Sequence, residues 1–147
     1  MNRQTKFHGE IEIAQENIYT FESGIPGFLD EKQFCLLALE ETPFVVLQSL
    51  TTKEVAFIML NPFDIFHDYE VKLTDEVLST LQIEEEKEVI TFVILTIHEP
   101  FKKTTVNLQA PIILNSSKKT GKQFIMNGSG YMTKHLLNEP SVEQEEK

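Results

Sequence analysis

Val89-Ile90-Thr91-Phe92-Val93-Ile94-Leu95-Thr96-Ile97 is the stretch of sequence that most strongly predicts the fold. β-branched and aromatic residues dominate it, and these residues favour extended strands. Apolar side chains occupy adjacent as well as alternate positions, so both faces of the strand are expected to be buried. We therefore predict a central strand of a sheet over residues 89–97.

On the N-terminal side of this stretch, short apolar runs alternate with turn-forming segments such as Gly24-Ile25-Pro26-Gly27. Each run is shorter than a typical helix and rich in β-branched or aromatic residues, so it is interpreted as a strand. The predicted strands cover residues 7–13, 18–21, 34–39, 44–50, 55–60 and 69–73.

On the C-terminal side, residues 106–114 are predicted to form a strand that Pro111 interrupts, at a sheet edge or a bulge. Asn107 and Gln109 alternate with apolar neighbours, so they are expected to share one face of this strand. A turn is predicted over residues 118–122, and a short strand is expected over 123–126.

One helix is predicted, over residues 74–82. Thr74 can cap its N-terminus, and Asp75 and Glu76 lie in the first turn, where acidic residues interact favourably with the helix dipole. Many short strands with a single helix indicate a mainly β fold, a small single-domain β-barrel-like antiparallel sheet. The domain is predicted to span residues 1–138, followed by a disordered acidic tail over 139–147.

The composition argues against several classes of partner. The chain has 147 residues and a net charge of −10, from 13 basic and 23 acidic residues. Nucleic-acid binding relies on basic residues, and an anionic membrane surface would repel this charge, so neither partner is expected. A basic protein would instead be attracted. Cytoplasmic localisation is expected, because the sequence shows neither a signal peptide nor an apolar stretch of about 20 residues.

No constellation of residues predicts catalysis, a cofactor or a metal ion. The four histidines lack the spacing of a helical metal-binding pair, and Cys35 lies in an apolar run typical of a buried thiol. His67-Asp68-Tyr69-Glu70 is the densest polar cluster, and it supports the alternative of a small ligand-binding barrel or a hydrolase. In an extended strand, alternate residues of this cluster would face opposite sides, which separates the potential acid from the potential base.

Aromatic residues stand among acidic ones in the segment that follows residue 60. Such rings more often pack into the core, but when exposed they form a protein-binding patch, and both interpretations stay open. Asn107 and Gln109 are a second candidate pair, although the polarity of a sheet surface also explains them. The candidate partner-binding residues are Phe63, Asp64, Phe66, Asp68, Tyr69, Glu70, Asn107 and Gln109.

Several strings of residues carry a resemblance to a known family. They are Gly24-Ile25-Pro26-Gly27-Phe28, Asn61-Pro62-Phe63, Thr105-Val106-Asn107-Leu108-Gln109-Ala110-Pro111-Ile112 and Gly121-Lys122-Gln123. Found together in this order, over residues 5–137, they resemble the FliW family of flagellar assembly factors.

The resemblance implies a compact β-barrel-like protein that is not an enzyme, needs no cofactor and binds two protein partners. One partner is newly made flagellin in the cytoplasm. The other is CsrA, an RNA-binding protein that blocks translation of flagellin mRNA and that the free FliW-like protein would antagonise. The acidic composition agrees with this on independent grounds, because an RNA-binding protein offers a basic surface.

Overall fold

The computed structural model describes residues 1–139, so residues 140–147 of the predicted acidic tail lie outside the described part of the chain. Within residues 1–139 the chain forms eleven strands and one α-helix. The helix is α1 (Asp75–Thr80). The strands are β1 (Asn2–Thr5), β2 (Gly9–Glu12), β3 (Ile18–Thr20), β4 (Gln33–Ala38), β5 (Val45–Ser49), β6 (Ala56–Leu60), β7 (Val89–Thr96), β8 (Thr105–Val106), β9 (Ile112–Asn115), β10 (Thr120–Gln123) and β11 (His135–Leu136).

Seven of these strands close into a barrel, in the order β7-β6-β5-β4-β3-β10-β9 and back to β7. Neighbouring strands are antiparallel except β10 and β3, which run parallel and meet at Thr120 and Thr20. The predicted mainly β, barrel-like fold is therefore confirmed. The predicted central strand is confirmed as well, because β7 pairs with β6 on one edge and with β9 and β8 on the other.

The interior of the barrel is apolar and close-packed. Cross-strand pairing places Leu36, Leu47 and Phe57 side by side on one face of the sheet. This face contributes to a core cluster with members from strands all round the ring, which identifies it as the interior. Gly121 lies where a Cβ atom would overlap the Phe21 ring, so no larger residue fits there without rearrangement.

Two other segments cover the outside of the barrel. The β1–β2 hairpin lies over a small cluster that contains Ile13, Ile18 and Cys35. Cys35 is buried, as predicted, and burial raises the pKa of its thiol to about 11. Helix α1 and the irregular segment 61–73 cover a larger apolar sector, where Val77 and Leu81 pack against strand residues.

The helix begins and ends where local chemistry favours it. The Thr74 hydroxyl accepts a hydrogen bond from the Val77 backbone N–H at 3.2 Å, which confirms the predicted N-cap. At the other end, the buried Asn115 side chain donates to the carbonyl oxygens of Leu81 and Gln82 at 2.9 and 3.2 Å. These bonds satisfy helix carbonyls that have no intrahelical partner and fix α1 against β9.

The strand predicted over residues 106–114 is wrong as a continuous element. Val106 pairs with Leu95 and Ile112 pairs with Phe92, both on the same edge of β7. Residues 107–111 lie between these pairs and bulge away from the ladder, so the predicted interruption is confirmed as a bulge. Asn107 and Gln109 therefore lie in this bulge rather than on a regular strand.

The strand predicted over residues 69–73 does not form, and the strands predicted over 7–13 and 123–126 are displaced. Residues 69–73 are irregular, because Tyr69 turns into the core instead of pairing along a ladder. The strand predicted over 123–126 is β10, which begins earlier because the β9–β10 turn occupies residues 116–119 instead of the predicted 118–122. Near the N-terminus, the structure has the β1–β2 hairpin instead of the single strand predicted over residues 7–13, and Phe7 lies in the turn of this hairpin.

Candidate protein-binding surfaces

The segment 61–73 begins with a short 3-10 turn, Pro62–Asp64. The Asn61 side chain accepts a hydrogen bond from the Phe63 backbone N–H at 2.9 Å, which starts the turn. Phe63 is 42% exposed, and its ring lies 5.8 Å from the ring of Tyr69. The turn therefore holds an aromatic side chain at the surface in a defined position.

Phe66 and Tyr69 point the other way, into the core. Phe66 is 0% exposed, and its ring meets that of His135 edge-on at 5.3 Å. Tyr69 donates a hydrogen bond from its hydroxyl to the Leu108 carbonyl oxygen at 2.7 Å. Burial, with the nearby Tyr131 as a smaller contribution, raises the pKa of Tyr69. The prediction that these two residues bind a partner is therefore corrected, because both side chains are buried in the core.

The acidic candidates in this segment are exposed. Asp64, Asp68 and Glu70 all face solvent, as does His67. The cluster of residues 67–70 is thus divided by Tyr69, whose hydroxyl lies in the core, and the hydrolase alternative gains no support from the arrangement. Among the described residues, no group of three histidine, cysteine or carboxylate side chains could hold a metal ion.

An open groove of about 530 Å³ runs beside this segment, and we call it the acidic groove. Its apolar wall comes from the segment, the helix and the start of β7, and its rim is a run of exposed glutamates. The lining residues are Phe63, Val71, Leu73, Leu78, Ile83, Glu84, Glu85, Glu86, Val89 and Thr91. Of these, only Phe63 is among the binding residues predicted from sequence.

The glutamate rim is held in place by Glu88. Its buried carboxylate accepts hydrogen bonds from the backbone N–H groups of Glu84 and Glu85 at 2.7 and 2.9 Å. These bonds lower the pKa of Glu88, with smaller contributions from Ser117 and Lys118. Exposed ion pairs of Lys118 with Glu84 and of Lys87 with Glu85, at 3.9 and 3.8 Å, neutralise the rim only in part.

A second groove, of about 370 Å³, lies at one mouth of the barrel and is named the amide groove here. It brings together Asn107 and Gln109, the other predicted pair. The lining residues are Ile25, Pro26, Phe57, Ile94, Asn107, Gln109, Ala110, Gln123, Ile125 and Thr133. Most of them are far apart along the chain, so no linear pattern could have identified the set.

Two irregular segments shape the amide groove. In the bulge, the Asn107 side-chain oxygen accepts hydrogen bonds from the backbone N–H groups of Gln109 and Ala110, both at 3.1 Å. The Gln123 side chain donates to the Ala110 carbonyl oxygen at 3.0 Å. The bulge is therefore braced by amide groups from within and from β10.

The other segment is the turn Gly24-Ile25-Pro26-Gly27-Phe28. The Phe28 backbone N–H donates to the Ile25 carbonyl oxygen at 2.6 Å, and Gly27 takes a φ of +89°, as a type II turn requires. Ile25 is buried at the end of the barrel, while Phe28 lies against Phe57 with ring centres 5.2 Å apart. The turn thus places an apolar wall beside the bulge.

These features define a class: a small closed β-barrel with shallow surface grooves. In the part of the chain that the structure describes, no helix is long and apolar enough to cross a membrane. A family model described as FliW protein matches residues 2–137. The chain belongs to the FliW family, as the resemblance predicted.

Similar proteins agree with this assignment. The flagellar assembly factor FliW of Geobacillus kaustophilus (strain HTA426) is 52% identical over 137 residues, which cover 93% of this chain and 95% of that protein. The one from Bacillus subtilis (strain 168) is 48% identical over 134 residues, covering 90% and 94%. A crystal structure of the flagellar assembly factor FliW has a TM-score of 0.89, with 51% identity over 93% of this chain and 96% of that one.

Proposed function

We propose that this FliW-family chain is a non-catalytic cytoplasmic protein that binds flagellin and, when free of it, binds and antagonises CsrA, so that flagellin mRNA is translated. The acidic groove is the observation that carries the proposal. An apolar wall with a glutamate rim suits a basic protein that can insert an apolar side chain.

Charge supplies a physical route to antagonism. An RNA-binding partner uses Lys and Arg to neutralise phosphates. A docked body with a net charge of −10 would raise the electrostatic free energy of bringing phosphate near, without covering the RNA site. The same charge argues against direct binding of nucleic acid or of an anionic membrane by this chain.

For this proposal we keep a smaller set of the partner-binding residues predicted from sequence. Phe63 borders the acidic groove, and the exposed Asp64, Asp68 and Glu70 belong to the same segment. A standard interface needs about 800 Å² on each partner, and the described chain exposes 8747 Å² in total. A surface of this size has room for two sites but leaves little distance between them, so we expect flagellin and CsrA to weaken each other's binding by the same factor.

The first experiment measures CsrA association rates from low to high salt. The variant replaces Glu84, Glu85 and Glu86 with Gln, and its matched control replaces the exposed Glu10, Glu12 and Glu16 with Gln, so both change the net charge equally. We expect the groove variant to associate about tenfold more slowly at low salt and the control to change much less. Equal slowing in both variants, or a rate insensitive to salt, would remove the acidic groove from the proposal.

The second experiment tests the exchange of partners. Flagellin is titrated into the preformed complex with CsrA, and the mixture is separated by size-exclusion chromatography. We expect CsrA to be released as flagellin binds. A stable complex of all three proteins, with no CsrA released, would show two independent binding activities instead of a switch.

A further inference from the structure

We infer that the amide groove is a second docking surface, which takes an uncharged, extended peptide segment with apolar side chains. Its walls come from the Gly24–Phe28 turn, the bulge at 107–111 and the neighbouring strands. The inference goes beyond the proposed function, because it requires neither of the partners named there. Three of the sequence strings that carry the family resemblance meet at this one place.

The absence of charge decides which segment the groove accepts. None of its ten lining residues is ionisable, although charged residues make up 24% of the chain. A lysine or glutamate placed against this lining would lose hydration without gaining a counter-charge, which is costly. The acidic surface elsewhere would attract a basic segment to other sites first. A neutral segment is therefore the best match.

The hydrogen-bonding groups favour an extended backbone over a helix. The Gln109 side chain forms no hydrogen bond with another described residue, and Asn107 uses only its side-chain oxygen. Carboxamide groups can both donate and accept, so they match the N–H and C=O groups of a peptide. An extended segment presents those groups, whereas a helix satisfies them internally.

The apolar walls suit the side chains of such a segment. Phe57, Ile94 and Ile125 line the groove, and Ile125 is 46% exposed. Alternate side chains of an extended segment point to the same side, so every second residue can contact these walls. The turn and the bulge are already held by hydrogen bonds, which reduces the conformational entropy that binding would remove.

The probes are capped octapeptides in which leucine or valine alternates with serine or asparagine. Matched versions carry two lysines or two glutamates in place of two serines. Binding is followed by the backbone amide NMR signals of the full chain. We expect the neutral peptide to shift the signals of Ile94, Gln109 and Ile125, to bind at least about tenfold more tightly than either charged version, and to be insensitive to salt.

Variants distinguish peptide binding in this groove from non-specific hydrophobic contact elsewhere on the surface. Ile125→Glu should abolish binding of the neutral peptide, while Ile97→Glu, at a 47% exposed residue outside the groove lining, should leave it unchanged. Gln109→Ala should weaken binding several-fold without altering the fold. The inference is overturned if no peptide shifts these signals, if a charged version binds as tightly as the neutral one, or if Ile97→Glu has the same effect as Ile125→Glu. No CsrA or flagellin is used, so this failure is distinct from failure of the proposed function.

Discussion

The acidic groove and the amide groove lie on the same barrel but are built from different elements. The acidic groove lies outside the barrel, between helix α1, the segment 61–73 and the start of β7, and three glutamates form its rim. The amide groove lies at the barrel mouth, where a turn meets a bulge, and carries no ionisable residue. Charged rims chiefly increase association rates, whereas neutral grooves select by shape and hydrogen bonding. The two proposed docking surfaces therefore suit partners of different chemistry.

Tyr69 connects the two regions. Its ring lies beside Phe63 of the acidic groove, and its hydroxyl donates to the carbonyl oxygen of Leu108, inside the bulge that supplies Asn107 and Gln109. The grooves thus share one buried side chain, although their lining residues are separate sets. Variants can be chosen to disturb both grooves, either one, or only the rim.

The largest effect is expected for Phe66→Ala, which removes the core anchor of segment 61–73. Deleting a fully buried phenylalanine ring lowers the free energy of unfolding by about 3–5 kcal/mol. Phe63→Ala is the control in the same segment, and its exposed ring should cost less than about 1 kcal/mol. Urea denaturation measures both. Similar losses for the two variants would mean that the inward and outward assignments of these rings are wrong.

Gly24→Ala should disturb the amide groove and leave the acidic groove intact. A Cβ atom at Gly24 would lie 2.6 Å from the Leu29 carbonyl oxygen, and the residue has a φ of +66°. Positive φ and steric overlap together should lower the free energy of unfolding by about 3 kcal/mol.

The control for this variant is Gly9→Ala, where φ is +68° and a Cβ atom meets nothing within 4 Å. Its free energy of unfolding should fall only by the cost of a positive φ for alanine, about 1 kcal/mol. Denaturation gives the free energies, and amide NMR signals show which groove changes. Shifts in the acidic groove as large as those in the amide groove would show that the two are not independent.

Tyr69→Phe should affect both grooves, with a smaller loss of stability. The substitution leaves the buried Leu108 carbonyl oxygen without its partner, which should cost about 1–2 kcal/mol. Tyr19→Phe is the control, because Tyr19 is also a buried residue but its hydroxyl forms no hydrogen bond with a described residue. NMR signals near Phe63 and Asn107 should shift together. Changes confined to one groove would argue against Tyr69 as their connection.

The smallest effect is expected for Glu88→Gln, which acts on the rim of the acidic groove. Because the pKa of Glu88 is lowered in the folded state, its ionised form stabilises the fold at pH values above its ordinary, unfolded-state pKa. That contribution is lost as the pH falls through the lower, folded-state pKa. The variant should therefore melt a few degrees below wild type at neutral pH.

Thermal melts across pH measure this difference, which should shrink in acid as wild-type Glu88 becomes protonated. Glu86→Gln removes the same charge from the exposed rim and leaves the ionised Glu88 side chain as the acceptor for the backbone N–H groups of Glu84 and Glu85. A difference between Glu88→Gln and wild type that stays constant down to strongly acidic pH would assign the loss to packing rather than to the carboxylate.

Features that depend on near neighbours in sequence were predicted well. The strand at 89–97, the cap at Thr74 and the buried Cys35 follow from side-chain type and spacing over a few residues, and the structure confirms each one. The family resemblance depends on strings of adjacent residues and is confirmed as well. Net charge is a property of composition, so the expectation of a basic partner rests on the sequence alone and does not depend on the fold.

The tertiary structure decided what irregular segments do. Sequence alone left open which aromatic rings after residue 60 face inward, because no ladder or helical period sets their direction there. The Tyr69 hydroxyl points inward and bonds to a carbonyl group 39 residues away in the sequence. Asn107 and Gln109 lie next to the Gly24–Phe28 turn only because the barrel closes through the β10–β3 pair. Local propensity acts over a few residues, whereas these side chains are oriented by hydrogen bonds and packing that exist only after distant strands have come together.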